Sequence, residues 1–173
     1  MHEKTCFDVT LRAQSACFTG HRSLPSGEKR DRLIGAVDAV IRSAVSRGYQ
    51  YFIAGGAVGF DTLAACRVIA AAKFFPEIKL LLALPCRNQT EKWRNVSDIA
   101  LYKRIMGAAA DVVYISDFYT PTCMHERNRF MVDHSSLCIA YCHSDRGGAA
   151  YTVEYAGRTG VGVVNLCDPE IKF

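Results

Sequence analysis

The 173-residue sequence has no stretch of about 18 or more consecutive apolar residues, so no membrane-spanning helix is expected. No secretory leader is expected either. Its opening stretch, MHEKTCFDVTLRAQ, is mixed polar and does not fit a secretory signal. No Cys-x-x-Cys pair occurs, which removes the commonest zinc and dithiol signatures. There is no clustered run of Lys and Arg, and the formal net charge is only +4. That pattern argues against nucleic acid as a partner, because such binders often show a basic run. The basic residues instead recur singly beside glycines and loops, a distribution suited to small phosphate ligands. No repeat, low-complexity tract or linker divides the chain, so residues 1–173 are read as one domain. Residues 1–14 are expected to form a loose arm or an edge strand.

Half of the residues are hydrophobic, enough for a sizeable core. The eight cysteines are Cys6, Cys17, Cys66, Cys86, Cys123, Cys138, Cys142 and Cys167. Without a secretory signal they are read as reduced thiols, and a cytoplasmic location is expected. Cys138 and Cys142 stand four apart, with His143 adjacent. On a strand those two positions share a face, and they are read as small buried hydrophobes. No metal site and no cofactor are expected.

Short β-rich runs alternate with helical stretches. Strands are expected at Ser15 to Thr19, Tyr51 to Ala54, Lys79 to Leu84 (ended by Pro85), Val112 to Ser116, Leu137 to Cys142 and Gly162 to Leu166. Helices are expected at Ser26 to Arg47, Phe60 to Phe74, Gln89 to Ala109, Met124 to His134 and Ala149 to Arg158. In the first helix Leu33, Val37, Val40, Ile41 and Ala44 recur at helical spacing. Alternation of this kind, with nearly all-apolar strands, predicts an α/β fold. Its mostly parallel sheet has helices on both faces, a Rossmann-like domain.

Ligands of such sheets bind beyond the carboxyl ends of the strands. After the first strand, Gly20 allows close backbone approach, and His21 and Arg22 follow it into the crevice, where an arginine can fork onto a phosphate. After the second strand, Gly55, Gly56 and Gly59 lead into a helix whose positive end favours an anion. Asp61 there either caps the helix or contacts a ribose or base. Trp93, the only tryptophan, either stacks on a base or joins the core. Glu126, Arg127, Asn128 and Arg129 are consecutive, so about two or three of them reach a ligand near the helix start. After the fifth strand, Gly147 and Gly148 make a second glycine turn before a helix carrying Thr152 and Glu154.

The segments TGHR (Thr19 to Arg22), GGAVGFD (Gly55 to Asp61), ERNRFMVDHSS (Glu126 to Ser136) and GGAAYTVEYA (Gly147 to Ala156) carry a resemblance to a known group. Together they resemble the SLOG superfamily, a Rossmann-like group that includes the Lonely Guy phosphoribohydrolases and the DNA-processing protein A fold. The pattern is most similar to the YpsA-like branch of small bacterial proteins. The resemblance implies a nucleotide or nucleotide-derived small molecule in the crevice, bound as a sensor or regulatory module. It also raises the alternatives of a hydrolase cleaving the N-glycosidic bond of a nucleoside monophosphate and of single-stranded DNA binding. Association into a homo-oligomer is implied by the same resemblance. Met124-His125-Glu126-Arg127 matches the arginine segment of the phosphoribohydrolases, with Asn128 in place of lysine. Glu154 stands one residue short of their acid, where Tyr155 is found. Arg127, Glu126 and Glu154 are the expected catalytic residues under the hydrolase alternative. Replacing Arg127 with alanine is expected to weaken nucleotide binding without unfolding the protein.

Overall fold

The computed structural model describes residues 6–167. A short 3-10 helix, Val9–Gln14, leads into β1 (Ser15–Gly20). The order then runs α1 (Gly27–Ser46), β2 (Tyr51–Ala54), α2 (Phe60–Ala71), β3 (Lys79–Cys86), α3 (Val96–Ala108), β4 (Asp111–Ser116), α4 (Cys123–Asp133), β5 (Leu137–Tyr141), α5 (Gly148–Arg158) and β6 (Gly162–Asn165). Every strand pairing is parallel, and the sheet order is β4-β3-β2-β1-β5-β6. This is the single-domain, Rossmann-like α/β architecture expected. Among the described residues no helix is long and apolar enough to cross a membrane.

Strand periodicity sorts the apolar residues into two layers. Ala16, Phe18, Phe52, Ala54, Leu80, Leu82, Leu84, Leu137 and Ile139 point to one face. There they meet Leu33, Val37, Val40 and Ile41 of α1, Leu63, Ala64 and Val68 of α2, and Ile105 of α3. Cys17, Ile53, Leu81, Ala83 and Cys138 point to the other face, against Met131 and Val132 of α4 and Ala156 of α5. Both faces are therefore dry, which explains why the strands are apolar without alternation. Cys138 lies beside Cys17 across the β1–β5 pairing. Cys142 joins Ala140 and Ala149 at the foot of α5.

Three expectations are corrected. The described part of the first 14 residues is neither an arm nor an edge strand. Asp8 caps the 3-10 helix by accepting from the Thr10 amide at 2.8 Å, and the Phe7 ring packs on Phe130 at 5.5 Å. Residues 1–5 lie outside the described residues. Strand β3 does not end at Pro85 but runs through it to Cys86. Pairing with β2 stops at Ala54 opposite Leu82, so Pro85 lies where β3 is flanked by β4 alone. Helix α3 starts at Val96, not Gln89. The Asn95 side chain accepts from the amides of Ser97 and Asp98 at 2.9 and 3.3 Å, which fixes the first turn there.

Candidate functional site

β1 and β5 are neighbours in the sheet but far apart in the chain. From β1 the chain builds outward through β2, β3 and β4, then returns beneath the sheet in α4 to start β5 on the other side. The loops after β1 and β5 thus diverge, and such a switch point opens a crevice at the carboxyl edge. A cavity of about 310 Å³ lies there. Thr19, Gly20, His21 and Arg22 line it from β1 and the loop beyond. Arg146, Gly147, Gly148 and Ala149 line it from the β5 side. Ala57 and Asp61 contribute from the start of α2, and Met124, Arg127 and Asn128 from α4.

The floor is a buried ion pair. Arg127 and Asp61 are each 6% exposed, with Nη1 to Oδ2 at 3.6 Å. Arg127 also donates to the Gly55 carbonyl through Nη1 and to Asn128 Oδ1 through Nε, the latter at 2.7 Å. Asp61 accepts from the Ala57 amide at 3.3 Å. Burial pushes the Asp61 carboxyl up and the Arg127 guanidinium down, and the opposite charge of the partner counteracts both. Glycine at position 55 is a steric necessity. A Cβ there would collide with the Arg127 guanidinium and stand 2.7 Å from Asp61 Oδ2.

The mouth has a different character. Arg22 and Arg146 are exposed, and among the described residues neither side chain has an ion-pair partner. Gly147 precedes α5 with a φ of 92°, and no side chain caps the helix. The first-turn amides of α5 lie at the cavity wall, beside Arg146. Gly59, with φ of 89°, makes the corresponding turn into α2. A Cβ there would strike the Arg22 backbone, so this glycine lets the β1 loop lie against the helix start. His21 Nε2 accepts from the His143 amide at 3.0 Å, and the two imidazoles lie 4.0 Å apart. Desolvation, and then the like charge of His143, hold the His21 pKa below its usual value.

The structure brings together eight of the residues singled out by sequence: Gly20, His21, Arg22, Asp61, Arg127, Asn128, Gly147 and Gly148. The first glycine turn is filled from within. Arg127 occupies the space over Gly55, Asp61 takes the Ala57 amide, and the Phe60 amide donates to the His21 carbonyl at 3.1 Å. Gly55, Gly56 and Gly59 consequently stand behind the cavity lining. Glu126 is not on the cavity and accepts from Thr122 Oγ1 at 2.8 Å. Glu154 is exposed on α5 beside Arg158, at 3.4 Å. Thr152 is buried and donates to the Gly148 carbonyl at 2.7 Å, while Arg129 is exposed on the outer side of α4. Asp133 accepts from the Tyr155 hydroxyl at 2.9 Å.

Sequence reasoning did not single out Arg146, His143 or Gln89 as site residues. Arg146 had a legible signal, a cation directly before a glycine-led helix. Gln89 had none. It is buried and donates to the Gly56 carbonyl at 3.2 Å, tying the loop after β3 to the loop after β2. Trp93 is half-buried, edge-on to Tyr102 with ring centroids 5.3 Å apart.

Comparison with known proteins agrees with this geometry. A family model described as the YspA SLOG family (YpsA) matches residues 17–160. The SPbeta prophage-derived protein YoqJ of Bacillus subtilis is 28% identical over 146 residues, covering 77% of this chain and 82% of that protein. A UPF0398 protein of Bacillus velezensis is 22% identical over 124 residues, covering 70% of this chain and 68% of that protein. Among solved structures, DNA processing protein A of Streptococcus pneumoniae superposes with a TM-score of 0.64 at 17% identity, over 88% of this chain and 50% of that one. DNA processing protein A of Helicobacter pylori superposes with a TM-score of 0.63 at 14% identity, over 90% of this chain and 66% of that one. The chain thus spans half the length of the first and just under two thirds of the second, and at these identities the likeness shows the fold. The Helicobacter pylori structure is described as having a single-stranded DNA binding mode. The expectation that a mild charge argues against nucleic acid is therefore corrected, because a protein that carries this fold is described as binding it. Absence of a basic run is a poor guide because cations that meet in space need not be neighbours in sequence.

Proposed function

The chain belongs to the YspA SLOG family, and from that premise we propose that its crevice binds a nucleotide or nucleotide-derived small molecule by the phosphate, as a sensor or regulatory module. One observation carries the reading. The uncapped start of α5 and two cations without ion-pair partners among the described residues, Arg22 and Arg146, converge on one cavity. A helix N-terminus and arginine side chains are complementary to a phosphate dianion in charge and in hydrogen-bond direction. Binding is better supported than hydrolysis. Asp61 is the one carboxylate among the cavity-lining residues, and Arg127 and the Ala57 amide already engage it. An oxocarbenium-like state needs a carboxylate free to face the anomeric carbon.

A thermal-shift series with AMP, ADP and ADP-ribose, followed by chromatography of the recovered ligand, tests the reading. Stabilisation that grows with ligand concentration, with the ligand returned intact, is the expected result. No shift with any of the three at millimolar concentration would sink it. Free base in the recovered sample would replace it with the hydrolase.

A second reading has its own support. The likeness to the Helicobacter pylori protein favours a phosphate belonging to single-stranded DNA. Binding of an oligonucleotide that weakens steeply with added salt would mark that case.

A further inference from the structure

The same carboxyl edge continues past the crevice to the ends of β3 and β4. The loop after β4 exposes two adjacent aromatic side chains, Phe118 at 73% and Tyr119 at 56%. Large exposed aromatics need an explanation when their backbone is fixed, and here it is. The Tyr119 amide donates to Asn88 Oδ1 at 3.0 Å, and the Phe118 carbonyl accepts from Ser116 Oγ at 2.7 Å. Cations stand beside the rings. Lys92 Nζ lies 5.3 Å from the Tyr119 ring centre, and Arg94 is exposed on the same loop as Lys92. Arg87 sits over Tyr114 at 4.4 Å, with Asp117 pairing it at 3.0 Å. Glu91 and Asp117 offset part of this charge, so the rings distinguish the patch more than its charge does.

The patch is tied to the crevice. Asn88 holds Tyr119, and its neighbour Gln89 holds Gly56 in the loop whose next residue, Ala57, lines the cavity. The loop bearing the two rings runs directly into α4, which supplies Arg127 and Asn128 to the cavity wall. From β1 to β3 and β4 is two to three strand spacings, roughly 10–14 Å. A ligand seated by one phosphate at the crevice needs more than one nucleotide to cover that distance.

We propose that Phe118 and Tyr119 form a stacking platform for unpaired bases, so that the phosphate site of the crevice also accepts a single-stranded oligonucleotide whose bases reach the platform. The inference rests on the phosphate reading of the crevice. Bases stack on exposed aromatic rings without regard to sequence, and nearby cations follow the backbone. The platform therefore selects for single strands and against duplex, whose bases are already stacked.

Fluorescence anisotropy with a labelled oligothymidylate of about ten nucleotides tests it, that length lying within the usual site sizes. The wild-type chain is compared with a Phe118→Ala, Tyr119→Ala double variant, each titrated also with AMP by thermal shift. Both rings are exposed, so the variant keeps its fold. Oligonucleotide affinity is expected to fall about tenfold or more in the double variant, while the AMP shift is unchanged. Phe74→Ala, an equally exposed aromatic in the turn before β3 at the opposite edge of the sheet, is expected to bind as the wild type does. Equal affinity of the double variant and the wild type would overturn the platform, as would an equal loss in Phe74→Ala. Binding of AMP but not of the oligonucleotide by the wild type would overturn the platform and leave the crevice reading standing. Failure of both ligands would remove both.

Discussion

Arg127 is both a wall of the cavity and a support of the fold, and the second role dominates any truncation. Its guanidinium is the counter-charge of a buried carboxylate and the donor to the Gly55 carbonyl. Arg127→Ala leaves both behind. Breaking a buried pair by deleting one partner typically costs about 3–5 kcal/mol. Urea unfolding of Arg127→Ala is expected to show a loss of that order, so weakened binding in that variant would not report on the ligand alone. This corrects the expectation, drawn from sequence, that the substitution would spare the fold. Arg22 is the cleaner probe. It is exposed at the mouth, so Arg22→Ala should change stability by no more than about 0.5 kcal/mol. Its phosphate affinity, measured by calorimetry with AMP, should drop roughly tenfold, the worth of one charge-assisted hydrogen bond. Equal affinity of Arg22→Ala and the wild type would take Arg22 out of the site. His21 supplies a pH signature. Its folded-state pKa lies below the usual 6.5, so the unfolded chain binds the proton more readily. The neutral ring therefore favours the folded state at high pH, and this advantage is lost as pH falls through about 6.5 toward the lower folded-state value. Protonation also removes the acceptor used by the His143 amide. Wild-type melting temperature should fall between pH 7.5 and pH 5.5 by more than that of His21→Asn. Parallel pH profiles would show that His21 plays no such part.

Helices α4 and α5 show what a sequence can and cannot say about a site. Four consecutive polar residues, Glu126 to Arg129, follow the first three residues of α4. Neighbours on a helix are turned by about 100°, so only part of such a run can face one way. The sequence carries no signal for which part. The structure turns Arg127 and Asn128 inward and leaves Glu126 and Arg129 outside, because Met131 and Val132 must face the sheet and thereby set the rotation of the helix. The two glycine turns looked alike in sequence and differ in the fold. One is filled by the side chains of Asp61 and Arg127, contributed from later in the chain, and the other is open. α5 yields a prediction with two opposite signs. Gly148 is exposed, its φ is ordinary, and a Cβ there meets only Asn128 Nδ2 at 3.8 Å. Gly148→Asp should stabilise the helix start by about 0.3–1 kcal/mol, since a carboxylate suits the positive end. The same carboxylate would repel a phosphate from the cavity. A raised melting temperature together with lost AMP binding is expected. Retained AMP affinity in Gly148→Asp would place the phosphate elsewhere.

At the scale of the molecule, strand and helix positions were legible, and strand order was not. The apolar runs at Tyr51–Ala54 and Leu137–Tyr141 announce strands because both faces are covered. Nothing in them says that β5 pairs with β1, a contact across most of the chain, and that pairing is what opens the crevice. The 3-10 helix at Val9–Gln14 was illegible for a related reason. It has no apolar periodicity, and the contacts that hold it include the Asp8 cap, Phe7 on a distant helix and Arg12 donating to the Ser135 carbonyl at 3.0 Å. The architecture predicts where a ligand will be felt. In hydrogen–deuterium exchange, AMP should slow the amides of residues 19–22 and 146–149 at the carboxyl edge. It should leave those of residues 72–78 at the opposite edge unaffected. Protection spread evenly over the chain would point instead to a general gain in stability.

The order in which the sheet is built has a consequence for the protein while it is being made. A ribosome delivers β1 through β4 first, and these can assemble into a four-stranded parallel sheet with α1, α2 and α3 on one face. Throughout that time the outer edge of β1, an almost wholly buried strand in the finished protein, has unpaired backbone groups and no partner until Leu137 appears. Exposed apolar edges invite pairing with other chains. The crevice is the seam along which this edge is finally closed. The segment most exposed to mispairing during synthesis therefore becomes, once β5 docks, a wall of the crevice.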